Sequence, residues 1–271
     1  MNQAMEFLSR FGFHSTPFTR EIRVKELFVH EIYKESLEHL FHAVNQRMSA
    51  ALIAPAGTGK TALLRALTDR LPETRYRTHY VKVTDLSKRD FCREIAAAVG
   101  AEPAGIYPAL VRRLQERFAA TLDTDSLRPV LILDEAHDMK PEILGMLRIL
   151  TNFDMDSRLV VSVILVGQPP LAQMLRQHKL EDVAQRLVHQ ATLRLLSRKE
   201  AEEYVRHRCQ IAGGSACPFD RGAMEALYEI GRGNLRATDH LALKALEAAD
   251  RANCNGVDSN HVTTARGMLC L

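Results

Sequence analysis

The chain has 271 residues, 46% of them hydrophobic, enough to bury the core of one large domain or one and a half. A net charge of +3 and a pI near 8.6 leave no strongly basic or acidic whole-molecule character, so any nucleic-acid surface must be local. The longest apolar run, Leu159 to Gly167, is too short for a membrane span, the N-terminus lacks a basic-then-apolar leader, and Cys92, Cys209, Cys217, Cys254 and Cys270 form no C-x-x-C pair; a cytoplasmic protein with reduced thiols, no zinc site and no membrane association is expected.

Residues 1–29 carry Phe7, Phe11, Phe13, Phe18 and Phe28, interrupted by Pro17 and turn-forming residues, and predict an extended aromatic arm. From His30 to Arg47, apolar residues at Ile32, Leu37, Leu40, Phe41 and Val44 keep helical spacing. This helix and the arm could together wall an adenine pocket. The next stretch, Ser49 to Thr61, organises the chain. Ala50 to Ile53 suits a buried strand, and Pro55, Ala56, Gly57, Thr58, Gly59, Lys60 and Thr61 form a glycine-containing loop before a helix beginning Ala62-Leu63-Leu64. Such a loop turns backbone N–H groups and a helix N-terminus toward phosphate. Lys60 is expected at the β- and γ-phosphates of ATP, and the Thr61 hydroxyl on Mg²⁺. Ala54 occupies the place of the first glycine in the full pattern, a tolerable change because that position opens the loop and touches phosphate less directly.

Arg75 to Val83 reads as a strand, followed by a Lys88-Arg89 turn, a helix from Asp90 to Val99 and another from Ala109 to Leu122. Val130 to Leu133 is an all-apolar strand running into Asp134-Glu135-Ala136-His137. Carboxylates just past the end of a buried parallel strand are where a nucleotide site places its acids: Asp134 supports the Mg²⁺ shell and Glu135 polarises the attacking water. A helix from Pro141 to Leu150 and a strand from Leu159 to Val166 follow, the strand leaving through Gly167-Gln168-Pro169-Pro170. Gln168 is placed either to sense the γ-phosphate or simply as a turn residue. Strands alternating with helices predict an α/β fold, a parallel sheet covered on both faces.

From Leu171 onward the pattern reads as helical, with Ser197 and Glu200 in an S-x-x-E capping box. The expected organisation is an aromatic arm over 1–29, a nucleotide-binding α/β domain over 30–194 and a helical lid domain over 195–271, the lid closing on the nucleotide.

The Gly57-Thr58-Gly59-Lys60-Thr61 loop (Walker A) and Asp134-Glu135 (Walker B) resemble those of AAA+ ATPases. Phe11-Gly12-Phe13, Pro17-Phe18, the Leu147 to Phe153 segment, Val166-Gly167-Gln168-Pro169, Gln185-Arg186-Leu187 and Gly233-Asn234-Leu235-Arg236 further resemble the ExeA-like group, related to transposition ATPases of the TnsC, TniB, IstB and MuB kind. The resemblance implies an AAA+ P-loop NTPase core with a helical lid and Mg²⁺-dependent ATP hydrolysis in a homo-oligomeric ring or filament. It also implies a sensor role for Gln168, a trans-acting arginine at Arg186 with Arg176 as the alternative, and a lid sensor at Arg236.

The function it implies is ATP-dependent assembly on double-stranded DNA and regulation of transposition by recruiting a transposase, with DNA recombination as the outcome. Arg75, Arg77, Lys82, Lys88 and Arg89 flank a strand and helix that could meet phosphates without reading sequence; Lys88 and Arg89 are the DNA-binding candidates, with Lys140 and Arg148 behind them. The alternatives are an ExeA-type secretion-assembly ATPase, whose relatives continue into a membrane segment and a cell-wall-binding region, and a nucleotide-switch signalling ATPase.

Overall fold

The computed structural model describes residues 3–269; Cys270, expected as a reduced thiol, lies outside the described residues. The chain divides into two compact units, one of Glu31–Pro55 and Lys60–Leu193, the other of Met1–His30, Ala56–Gly59 and Arg194–Leu271.

The larger unit is built on five parallel strands, β1 (Ser49–Ile53), β2 (Tyr76–Lys82), β3 (Arg128–Asp134), β4 (Ser162–Gly167) and β5 (Leu187–Thr192), in the order β2-β3-β4-β1-β5. The three central strands read as continuous apolar runs because helices cover both faces. Ala51, Ile53, Leu131, Leu133, Val163 and Leu165 point to one face, where they join Phe91 and Ile95 of α4 (Lys88–Val99) and Leu114 and Phe118 of α5 (Tyr107–Asp123) in one core. The alternate residues Ala50, Leu52, Ile132 and Ile164 face the other way and are fully buried too. On that side α2 (Glu31–Asn45) packs against β1, β5 and α3 (Lys60–Arg70).

Register decides where chemistry can sit. Ile53 pairs with Gly167 and Thr192, Leu133 with Leu165, and Lys82 with Asp134. The carboxyl ends of β1, β3 and β4 therefore lie along one edge of the sheet, and the loops after them leave side by side.

Three expectations for this unit are corrected. Residues 171–197 are not wholly helical, because β5 adds a strand at the sheet edge. Its sequence, Leu-Val-His-Gln-Ala-Thr, buries only Ala191 below the surface and carries no apolar run to announce it. The helix expected over 141–150 is two single turns, Pro141–Leu144 (α6) and Leu147–Leu150 (α7), separated at Gly145-Met146. Lys88 and Arg89 are not a turn but the first residues of α4, which Ser87 caps through the Asp90 N–H.

The smaller unit packs α10 (Arg198–Ile211), α11 (Arg221–Gly231), α12 (Leu235–Arg251) and α13 (Ser259–Gly267) around their own core. Each helix starts on a side-chain cap, Ser197, Asp220, Asn234 and Asp258 in turn, so the element boundaries are set locally. The N-terminal arm belongs to this unit. Its first part is a helix, α1 (Gln3–Arg10), rather than extended chain, and Phe11, Phe13 and Phe18 sink between Val205, Phe219, Leu241 and Leu246. Phe28 stacks edge-on against Tyr204. A buried polar cluster ties the arm down. Arg208, 4% exposed, donates to both carboxylate oxygens of Asp239 at 3.2 and 3.1 Å, to the Tyr204 hydroxyl at 2.8 Å and to the Thr19 carbonyl at 2.6 Å. Burial raises the Asp239 carboxyl to about 6 even with the guanidinium beside it.

Candidate functional site

The loop after β1 turns on two glycines in the left-handed region. Gly57 and Gly59 stand at φ +74° and +94°, which side chains disfavour, and a Cβ on Gly57 would meet Asn234 Oδ1 at 2.2 Å. Ala54 needs no such freedom: it is fully buried, has no positive φ, and its N–H donates to the Gly167 carbonyl at 3.0 Å. Lys60 opens α3, is 9% exposed, and rests its ammonium on the carbonyls of Ala54 and Pro55 at 3.2 and 3.3 Å. Thr58 is buried, Ala56 is exposed, and Thr61 presents itself to solvent one residue into the helix.

At the end of β3, Asp134 is 4% exposed. Its Oδ2 accepts from the Tyr80 hydroxyl at 2.8 Å and its Oδ1 from the Glu135 N–H at 2.8 Å, which fixes the carboxylate. Burial and this carboxylate push the Tyr80 phenol above its ordinary range, so it stays a donor. A buried carboxylate and an exposed hydroxyl are the hard oxygen donors that suit Mg²⁺, so the donor set fits the ion.

Glu135 stands at φ +59°, a conformation that costs a non-glycine residue about 1–2 kcal/mol and recurs at functional sites. Glu135 Oε2 is buried without a protein hydrogen bond and lies 3.5 Å from His137 Nδ1. On the other side of the ring, His137 Nε2 is 2.7 Å from Gln168 Nε2, at the residue that caps α8 (Pro169–Leu175). Gln168 thus stands both at the turn before the prolines and within reach of the His137 ring. It joins the acid-bearing turn through His137, a residue quoted in the motif but given no role by the sequence reasoning. Tyr80 was also missed, since nothing in a strand pattern marks which tyrosine reaches an acid 54 positions away.

Arg186 does not join this edge. It immediately precedes β5, and Leu187 pairs with Ser49 at the start of β1. The length of a five-residue strand, roughly 16 Å, therefore separates it from the loop of its own chain. Its guanidinium forms a two-pronged pair with Asp156, 2.7 Å on one prong. Asp156 belongs to a run of three left-handed residues, Asp154, Met155 and Asp156, and the pairing holds its carboxyl below the ordinary range. The two lie in a surface groove of about 840 Å³, lined also by Gln115, Arg148, Ile149 and Asn152, in which Arg148 pairs with Asp182 at 2.7 Å. Arg176 is exposed at the C-cap of α8.

In the helical unit, which includes residues 56–59, Asn234 caps α12 and donates its side-chain amide to the Ala56 carbonyl at 2.8 Å, while the Arg236 N–H reaches the Gly57 carbonyl at 3.3 Å. The Arg236 side chain is exposed.

Of the DNA-binding candidates, Lys88 is exposed in the first turn of α4, and Arg89 donates to the Gly105 carbonyl at 3.2 Å. Arg75, just before β2, and Arg77 and Lys82 within it are exposed; β2 is one of the two edge strands, where charge also guards an unpaired edge against strand addition. Lys140 is paired with Asp85 at 2.9 Å.

Residues 42–175 match the AAA domain family. The chain is 33% identical over 244 residues to General secretion pathway protein A of Aeromonas hydrophila, covering 88% of this chain and 44% of that protein, so it spans less than half of the relative's length. Among solved structures it resembles Cdc6p from Pyrobaculum aerophilum, with TM-score 0.72, 17% identity, and 93% of this chain and 70% of that one covered. It also resembles the Aeropyrum pernix ORC1 protein solved in complex with DNA, at TM-score 0.69 and 18% identity over 94% and 69% of the two chains. The Thermotoga maritima RuvB Holliday junction branch migration motor follows at 0.59 and 18%, over 93% and 73%. At these identities the solved structures establish the fold: a parallel-sheet P-loop core of the AAA+ type with a helical C-terminal part.

Proposed function

From an AAA domain on an AAA+ fold, which together support an AAA+ ATPase, we propose that the chain hydrolyses ATP with Mg²⁺ and uses the cycle to assemble and release a homo-oligomer on duplex DNA. The observation that carries the hydrolytic part is the shared edge: the loop of residues 55–61, Asp134-Glu135 and Gln168 follow β1, β3 and β4 at matching registers. Pro55 to Gly59 cradle the phosphates with backbone N–H groups, and Lys60 leaves its loop carbonyls for the β- and γ-phosphates. Thr61 and Asp134 would hold Mg²⁺, which would supply neutralisation of the phosphate charge. Glu135 orients the attacking water and accepts its proton, Gln168 senses the γ-phosphate, and Arg236 reports it from the helical unit.

Arg186 acts on a neighbour's nucleotide. Its distance from its own loop favours that role, and a finger supplied between subunits ties hydrolysis to assembly.

In this reading the assembly binds duplex DNA through phosphate contacts from Lys88 and Arg89 and directs a transposase to its target. The exposed basic row on β2 and α4 supports it. A second reading, assembly of a secretion apparatus, is favoured by the identity to General secretion pathway protein A across most of this chain.

Sedimentation of the full chain with duplex DNA in ATP, ADP or a non-hydrolysable analogue, over a salt series, separates the two. Large DNA complexes that need the ATP state and weaken with salt support the DNA reading. Nucleotide-driven assembly that ignores DNA overturns it in favour of the secretion reading. Glu135→Gln is expected to keep nucleotide binding and abolish turnover; normal turnover would remove Glu135 from the mechanism.

A further inference from the structure

The polar atoms around Glu135 divide into those with partners and those without. Asp134 has both oxygens satisfied, whereas Glu135 Oε2 and His137 Nδ1 are each buried with no hydrogen bond and face one another at 3.5 Å. The imidazole is held from its far side, where Gln168 Nε2 approaches His137 Nε2 at 2.7 Å. With the Gln168 amide nitrogen facing it, Nε2 is the acceptor and the ring hydrogen resides on Nδ1, 3.5 Å from Glu135 Oε2 and not hydrogen-bonded to it. The reverse tautomer would place a lone pair instead of a donor beside the carboxylate, so no rotation of either group could satisfy both. Asp138 competes poorly for the ring: its Oδ1 is 3.7 Å from Nε2, and its side chain is 58% exposed.

The backbone is built to bring these groups together. Glu135 takes its left-handed conformation, the chain closes a single 3₁₀ turn over Ala136–Asp138, and the turn lies against the end of β4. At Gly167 a Cβ would come within 3.2 Å of the His137 backbone nitrogen and 2.8 Å of Leu171 Cδ2. The absence of a side chain there lets the turn approach close enough for Gln168 to reach the ring.

We propose that His137 is a positioning residue that couples Gln168 to Glu135. In this role a small rotation of the carboxylate brings Oε2 from 3.5 Å into a hydrogen bond with Nδ1–H, which then fixes the carboxylate and leaves Oε1 to orient the water. Because the ring is itself held by Gln168, any movement of that side chain toward a γ-phosphate oxygen is transmitted to the carboxylate. The inference rests on the hydrolytic reading above and adds to it a link between sensing and activating groups. His137 touches neither nucleotide nor water in this scheme.

The test is steady-state ATP hydrolysis by the full chain, alongside affinity for a fluorescent ATP analogue and the thermal midpoint without nucleotide. His137→Ala is expected to lower kcat by about 10- to 100-fold, the loss usual when an orienting partner is removed, with KM, nucleotide affinity and midpoint unchanged. His137→Asn, whose amide nitrogen stands near the position of Nδ1, is expected to recover most of the rate. Gln168→Ala should cost a similar factor, and the His137→Ala/Gln168→Ala double variant should cost no more than either alone. Full kcat in His137→Ala, equal losses in the Ala and Asn variants, or a loss that appears in affinity would each overturn the role. Normal turnover in Glu135→Gln would sink the hydrolytic reading itself, whereas an inactive Glu135→Gln beside a fully active His137→Ala would sink only the coupling.

Discussion

Replacing Asp156 with alanine releases Arg186 without touching the nucleotide loop, and its effect can be worked from the pair's surroundings. The side chains are 26% and 47% exposed, so solvent screening leaves the pair weak. A finger must abandon Asp156 before it can reach a neighbouring phosphate. Removing that cost raises turnover in the assembled state by about fivefold at most, the ceiling for an exposed ion pair. Arg186→Ala acts in the opposite sense: losing the transition-state charge contact is expected to cost about 10³-fold in kcat. The assay is ATP turnover against protein concentration, so that the dilute and assembled regimes are read separately. The Asp156→Ala gain and the Arg186→Ala loss should both appear only in the assembled regime. If Arg186→Ala stays within about twofold of the unsubstituted chain at every concentration, Arg186 is an ordinary groove ion pair. If Arg176→Ala shows the loss instead, the finger is Arg176.

Other outcomes follow from the helical unit. Asp239→Ala leaves the Arg208 charge buried without its carboxylate and should cost about 3–5 kcal/mol by denaturant unfolding, whereas Arg208→Met with Asp239→Leu should cost far less. The Arg194 guanidinium and the Ser197 N–H hold the Glu200 carboxyl down at about 2. Its contribution to stability is thus complete above the unfolded carboxylate value near 4 and fades as pH falls toward 2, so Glu200→Gln should flatten the thermal midpoint across that window. Cys209 and Cys217 lie 3.8 Å apart, with the Cys217 thiol lowered to about 7 beside Cys209. Mild hydrogen peroxide should convert the two thiols to one disulfide and two waters, read as a loss of two hydrogens by mass spectrometry and absent in Cys217→Ser.

What the sequence made legible follows from how each feature is encoded. Val130 to Leu133 and the run ending at Val166 are buried on both faces, so they carry continuous apolar stretches, and the groups following them could be located by position alone. The loop with Gly57 and Gly59 is encoded by backbone conformation that few residues supply. β5 was invisible because an edge strand buries little and mixes polar with apolar residues. The single helix expected over 141–150 failed for another reason: Gly145 breaks a run whose apolar spacing is otherwise helical. The Asp156 partner of Arg186 and the Tyr80 partner of Asp134 lie 30 and 54 positions away, distances over which a sequence pattern carries no pairing information. His137 was in plain view beside the acids. Its contact with Gln168, 31 positions away, is a pairing that no sequence pattern carries.

Ala54 carries a lesson for recognising related chains. The backbone there adopts an ordinary conformation and points its N–H into the sheet, so a methyl group costs nothing, while two later positions bear the whole stereochemical demand. A search template that insists on glycine at that opening place would pass over proteins built like this one. A template weighted toward Gly57, Gly59 and Lys60, with any small buried residue admitted four places before Thr58, would retrieve them.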